Sequence, residues 1–305
     1  MRQKSHHLEE HRMQIFITGG TGLIGSAVVA ELVGTGHDVV ALARSDRSAE
    51  AVRAAGAEPV RGDLGDLSTL RDRAADAEGV IHLAFRNDFS GPDALAHAIA
   101  EESAAVAAMS EALIDSGKPF VTVSGTPPVP GRTSTEHDPL PTDGPVAGRS
   151  RAISALFELT SRGVRAVAVR MPRTVHNEGK GGFAGLLTDI ARRTGVAGYP
   201  GDGSQRWPAV HALDAAVLFR LALERGEAGT SWHAVAEEGV PVRETAAVVG
   251  GRLGLPVERV PEEAFGPLGP IFALDQPSSS EYTKRVLGWE PTHPGLLEDL
   301  ERIQP

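Results

Sequence analysis

The stretch ITGGTGLIG, Ile17–Gly25, decides the fold. It follows the short apolar run MQIFITGG (Met13–Gly20) and leads into GLIGSAVVAELVGTG, whose apolar residues recur at helical spacing until Gly34 and Gly36 stop it. Gly19, Gly22 and Gly25 stand three apart between that strand and that helix. Such a turn lets backbone approach a pyrophosphate, whose charge then sits at the helix N-terminus. A glycine triplet alone is a weak signal. Between a first strand and a first helix, inside a βαβ unit, it becomes a specific one.

Outward from that loop, strands alternate with helices. HDVVALARS reads as a second strand, SAEAVRAAG as a helix, AEPVRGD as a short strand and LSTLRDRAAD as a helix. GVIHLAF (Gly79–Phe85) is a fourth strand, Pro92–Ser116 a long alanine-rich helix and KPFVTVSG a fifth strand. After a Pro/Gly-rich loop over Thr126–Pro145, a helix opens at GPVAGRSRAISALFE and GVRAVAVRMP supplies a sixth strand. The order predicts an α/β protein: a Rossmann-type, doubly wound parallel sheet covered on both faces. Beyond Pro172 the segments shorten and glycine and proline punctuate them. We expect helices over Phe183–Arg193, Ala212–Glu224, Val242–Leu253 and Ser279–Leu287, with a strand near Ser231–Ala236. The expected division is a polar leader or tag remnant over 1–12, a mainly dinucleotide-binding domain over 13–172 and a smaller substrate lobe over 173–305. Some segments of that lobe return to the first domain.

Composition narrows the partners. Of 305 residues, 41% are hydrophobic and 23% charged, ordinary for a globular protein, and the formal charge is −10. That acidity argues against nucleic acid or an anionic membrane surface as partner. No apolar run approaches the roughly 20 residues of a membrane helix, and there is no cysteine for disulfide or thiolate chemistry. A cytoplasmic protein acting on a small molecule is the expectation. No metal is expected, because no His, Asp and Glu residues stand at metal-ligand spacing. Lys180 in GKGG lacks the frame of a phosphate loop, and no G-x-S-x-G elbow occurs.

The residue after the second strand separates NAD from NADP. An acid there holds the ribose 2′-hydroxyl, whereas arginine pairs with a 2′-phosphate. In ALARSDRS the apolar run ends in Arg44, with Ser45 beside it and Arg47 near, which favours NADP. Asp46 is the competing reading, since a shift of register would make it the ribose acid. Thr21, Leu23 and Ile24 complete the glycine loop, and Asp63 and Leu64 close the third strand where an adenine ring is commonly met.

At this point the chain resembles the extended short-chain dehydrogenase/reductase superfamily, the NAD-dependent epimerase/dehydratase group. TGGTGLIG, GDL after strand three, IHLA after strand four, VTVSGTPPVPG after strand five, VRMPRTVH after strand six and RWPAVHALDAA carry the resemblance in the right order, from Met13 to the end. It implies hydride chemistry by a Ser/Thr–Tyr–Lys set, with cofactor contacts also at Ala84 and Ser124 and substrate contacts from Phe85 and Arg206. Thr126 takes the hydroxyl position, with Ser124 as second choice. The Tyr-x-x-x-Lys site falls on Ala147–Arg151, so alanine replaces the tyrosine and Arg151 the lysine. Arg151 can hold ribose hydroxyls but cannot relay a proton.

Three sources answer the missing proton. His176, after strand six, is one side-chain candidate, because histidine is the residue type suited to act as acid or base near neutrality; Tyr199 in the small lobe is the other. Water held by Thr126 is the second source. The third answer is that NADP is bound without turnover, as in a redox sensor. An epimerase or isomerase with tightly held cofactor is a further reading, and it too lacks the tyrosine. A homodimer through Pro92–Ser116 and Ala147–Ser161 is expected of the family.

Overall fold

A computed structural model describes residues 12–86, 92–144 and 147–304. Most of the expected leader over 1–12, and the start of GPVAG at Pro145 and Val146, lie outside the described residues. The chain begins with β1 (Gln14–Thr18), α1 (Leu23–Gly34), β2 (Asp38–Ala43), α2 (Asp46–Ala54), β3 (Glu58–Arg61), α3 (Leu67–Asp76) and β4 (Gly79–His82). There follow α4 (Pro92–Glu111), β5 (Pro119–Gly125), α5 (Ala147–Glu158), β6 (Arg165–Met171), β7 (Thr174–His176), α6 (Gly182–Thr194), β8 (Ala197–Tyr199) and β9 (Arg206–His211). The last third holds α7 (Ala212–Arg225), β10 (Thr230–His233), β11 (Glu237–Pro241), α8 (Val242–Leu253), β12 (Val257–Arg259), α9 (Gly269–Phe272), α10 (Glu281–Leu287) and α11 (Leu296–Leu300).

Seven parallel strands form the main sheet in the order β10-β6-β5-β4-β1-β2-β3. The order reverses beside β1, so the loops after β1 and β4 diverge and leave a crevice at the carboxyl ends of the strands. The central strands are apolar without alternation because helices cover both faces: every residue of β4 is buried, as are Ile15, Phe16 and Ile17 of β1. On one face α1 packs on α7, whose Ala212, Ala215, Ala216 and Ala222 are fully buried and let the two helices approach closely. On the other, α3, α4 and α5 cover Phe16, Val80 and Phe120.

The expected helices α3 and α8 match the sequence reading residue for residue, whereas α4 ends at Glu111, short of Ser116. Past β6 the structure adds what periodicity did not show. A three-stranded sheet, β11-β9-β7, and a two-stranded one, β12-β8, build the small lobe. That lobe has its own core of Leu187, Trp207, Val249 and Phe272. α7 and β10 lie beyond Pro172 in sequence yet complete the large sheet and its cover. Among the described residues no helix is long and apolar enough to cross a membrane.

Candidate active site

The crevice above the sheet holds a cavity of about 580 Å³. Its walls come from the loops after β1, β2, β3, β4 and β6, with the end of β5. Gly19, Thr21, Gly22, Leu23, Ile24, Gly25, Arg44, Asp63, Leu64, Ala84 and Phe85 line it, all expected from the sequence. From β2 to β6 the sheet is crossed in four steps, a span of about 19 Å at the usual strand spacing. That is room for an extended dinucleotide.

The glycine loop is built for close approach. Gly19 has φ +77°, and a Cβ there would stand 2.7 Å from the Ala84 nitrogen. A Cβ on Gly25 would fall 2.0 Å from the Gly19 carbonyl oxygen, so the helix can enter the turn only with glycine at that position. The Gly22 amide donates to the Gly19 carbonyl at 3.1 Å and closes the turn. Gly22 is also the N-cap of α1 and offers no side-chain cap, and the first turn of α1 carries no acid. The open amides and the positive end of the helix dipole therefore face the cavity as an anion site. The residues present fit a dinucleotide pyrophosphate.

At the β2 end, Arg44 lines the cavity and makes no ion pair among the described residues. Asp46 turns away, exposed and 3.4 Å from Arg61. Ser45 serves as N-cap of α2, accepting from the Ser48 amide at 3.1 Å, and it is Ser48 that reaches the cavity. Asp63 accepts from the Gly65 amide at 2.8 Å, which orders the loop after β3. On β4, buried His82 meets the Thr18 hydroxyl at 2.7 Å. Burial, with the positive charge of Arg149 adding to it, pushes this imidazole down to about 3, so it is neutral.

Around Phe85 the helices supply paired charges. Arg149 binds Glu102 through two hydrogen bonds, 2.8 and 2.7 Å, and lies over the Phe85 ring at 4.2 Å. Arg86 donates to Glu101 at 3.2 and 3.1 Å, and both of these residues line the cavity. At the β6 end stands Arg173. Its Nη2 donates to Gln276 Oε1, its guanidinium lies 4.8 Å over Phe183, and its buried Nε has no partner. Desolvation lowers it to about 10. Gln276 in turn donates from Nε2 to the Thr126 carbonyl at 2.6 Å.

Other expected residues lie off the cavity lining. Thr126 and Ser124 are buried beside it, at the end of β5, and the Ser124 hydroxyl has no partner. Ala147 is buried on α5 and Arg151 is exposed there. Tyr199 packs into the small-lobe core, and Arg206 is tied to Asp275 at 2.9 Å on the surface. The second tyrosine, Tyr282, stacks on Trp232 at 5.6 Å. His176 is fully buried with Nδ1 3.0 Å from Asp299, whose carboxylate also accepts from the Glu178 and Gly179 amides. Its ring stands edge-on to His211, and His211 stacks on His293. His176, His211 and Asp299 thus converge closely enough to suit a metal ion, a grouping invisible at a separation of 123 residues.

The sequence reading missed Leu42, Ser48, Gly62, Leu83, Arg86, Glu101, Val123, Arg173, Val175 and Gly182 of the lining. For Arg173 a signal existed: a cation directly after strand six and Pro172, in the VRMPRTVH stretch that carries the family resemblance.

An uncharacterized protein of Schizosaccharomyces pombe is 42% identical over 294 residues, spanning 94% of this chain and 98% of its own. A ketoreductase of Stigmatella aurantiaca, named for 4-hydroxy-2-methyl-3-oxo-4-farnesyl-3,4-dihydroquinoline-1-oxide, is 28% identical over 75% of this chain and 70% of its own. Among solved structures, the UDP-glucose 4-epimerase of Thermotoga maritima superposes with a TM-score of 0.77 at 21% identity, over 95% of this chain and 97% of that one. At that identity the likeness speaks for the fold. The model of the NAD dependent epimerase/dehydratase family matches residues 15–235, through the glycine loop and every strand of the main sheet, and the chain belongs to that family.

Proposed function

We propose that this chain is an NADP-dependent oxidoreductase that works without the usual Tyr-x-x-x-Lys pair, on a small carbonyl, alcohol or activated double bond. The observation that carries this reading is the cavity itself, continuous from Arg44 past the glycine loop to Arg173. Gly19, Gly22 and Gly25 hold the pyrophosphate against α1, and Arg44 takes the 2′-phosphate, with Ser48 rather than Ser45 at its side. Asp46 lies off the cavity lining, on the surface 3.4 Å from Arg61, which favours Arg44 over it for the ribose end. The ketoreductase relative supports reduction of a carbonyl as the reaction class.

Bound NADPH would supply the hydride. The protein's own residues fix where substrate sits and where its oxygen finds a proton. Phe85, packed under Arg149, provides an apolar wall. We assign Thr126, whose carbonyl accepts from Gln276, the hydroxyl position that the family reserves beside the reacting oxygen. His176 is a weak candidate for the proton source, since Asp299 engages one ring nitrogen and the other is buried. Water ordered by Thr126 is the source we favour.

A second reading rests on the packed positions of both tyrosines: an NADP-binding sensor with no turnover. Calorimetric titration with NADPH and NADH, then a carbonyl panel followed by loss of NADPH absorbance, separates the two. Preference for NADPH with turnover supports the reductase, and preference without turnover supports the sensor. Preference for NADH returns the ribose to Asp46 and refutes the cofactor assignment.

A further inference from the structure

Arg173 differs from the other arginines near the cavity: Arg44, also without an ion pair, is exposed to water, whereas Arg173 is largely buried. Arg86 and Arg149 each face a carboxylate, Glu101 and Glu102. Arg173 makes no ion pair with any described residue. Its one hydrogen-bond partner is the neutral amide of Gln276, and the face of Phe183 covers its plane. The Nε hydrogen is buried with nothing to accept it. A guanidinium taken out of water without an opposing charge is strongly disfavoured, and this protein carries ten more acids than bases, so acidic partners were abundant. The side chain nevertheless lines the cavity, and its Gln276 contact continues to Thr126.

We propose that Arg173 is the anion-recognition residue of the substrate end of the cavity, and that the substrate is a small carbonyl compound bearing a carboxylate. The inference rests on the dinucleotide reading of the same cavity. A guanidinium binds a carboxylate with two parallel N–H···O bonds, which fixes orientation as well as position. Held there, the carboxylate anchors the substrate beside Thr126. Phosphate oxygens of the dinucleotide offer Arg173 the same chemistry, and the test must separate these two sources.

Three proteins serve: the full chain, Arg173→Lys, and Arg173→Met, which keeps much of the side-chain volume and removes the charge. Each is titrated with NADPH. The NADPH-saturated proteins are then titrated with oxalate and oxamate as anionic probes, and with oxamide as the neutral control. We expect the full chain to bind both anions and not oxamide. Arg173→Met should lose at least tenfold in anion affinity with NADPH affinity changed less than threefold, and Arg173→Lys should fall between. Millimolar guanidinium chloride should restore anion binding to Arg173→Met. A tenfold loss of NADPH affinity in Arg173→Met, with anion binding unchanged, assigns the guanidinium to the pyrophosphate and overturns the proposal. NADPH binding to the full chain with no response to either anion overturns it as well. Failure of the full chain to bind any dinucleotide is a different result, and it sinks the underlying cofactor reading.

Discussion

Two buried imidazoles make the fold sensitive to mild acid. His82, bonded to Thr18, is pushed down from the ordinary 6.5 to about 3 by burial and then by Arg149. His233, on β10 with Nδ1 2.8 Å from the Ser279 carbonyl, is pushed down to about 4, again mainly by burial. In the unfolded chain both regain a value near 6.5. Below that value the unfolded chain takes up protons that the folded chain refuses, so stability is full above pH 6.5 and falls as pH drops towards the folded values. Each histidine costs about 1.4 kcal/mol per pH unit in this window, so lowering the pH from about 7.5 to about 5.0 removes about 2 kcal/mol per site and about 4 kcal/mol together. Carboxylates contribute little there: Asp138, held well below the usual range by Arg132, loses its contribution only at lower pH. His211, also lowered by burial, adds in the same direction. Urea unfolding across this pH range measures the loss. His82→Gln should remove about half of the dependence on the two sites, and His82→Gln with His233→Gln nearly all of it. An unchanged slope in the double variant would refute the reasoning.

Three further outcomes are expected. Gly25→Ala should abolish dinucleotide binding by calorimetry, because its Cβ would fall 2.0 Å from the Gly19 oxygen; retained affinity would show that the loop is not the pyrophosphate cradle. Arg44→Ala should weaken NADPH by about ten- to a hundredfold, the usual worth of a charge-assisted hydrogen bond, and leave NADH within twofold. Asp299→Ala strips partners from His176 and from the Glu178 and Gly179 amides and should cost about 3 kcal/mol or more in urea unfolding. A loss under 1 kcal/mol there would deny that carboxylate its role in the lobe.

What the sequence made legible depended on local signals. Helices α3 and α8 were legible because polar and apolar residues alternate at helical period between clear stops, and the strand-loop-helix at Gly19 because its glycines have a backbone reason. Strands β7, β8 and β12 are three residues long, too short for period two to show, and β9 carries Pro208. Their pairing is a tertiary fact. Loop contacts expected at Gly22, Asp63 and Phe85 line the cavity because they directly follow strands of the main sheet or open its first helix. Arg86 with Glu101, and Arg173 with Gln276, depend on residues brought together from separate elements, and no spacing announces them.

The late arrival of β10 has a consequence for how the chain can be made. β6 is the inner neighbour of a strand that begins only at Thr230, and the helix that covers α1 begins only at Ala212. A nascent chain ending at Pro172 therefore presents an unpaired sheet edge and an uncovered apolar helix, both invitations to aggregate. The nucleotide half is not a module that can be cut free, and the small lobe cannot be exchanged by a single splice. During synthesis the large sheet waits, incomplete, until most of the lobe has emerged, so the two halves acquire stability together.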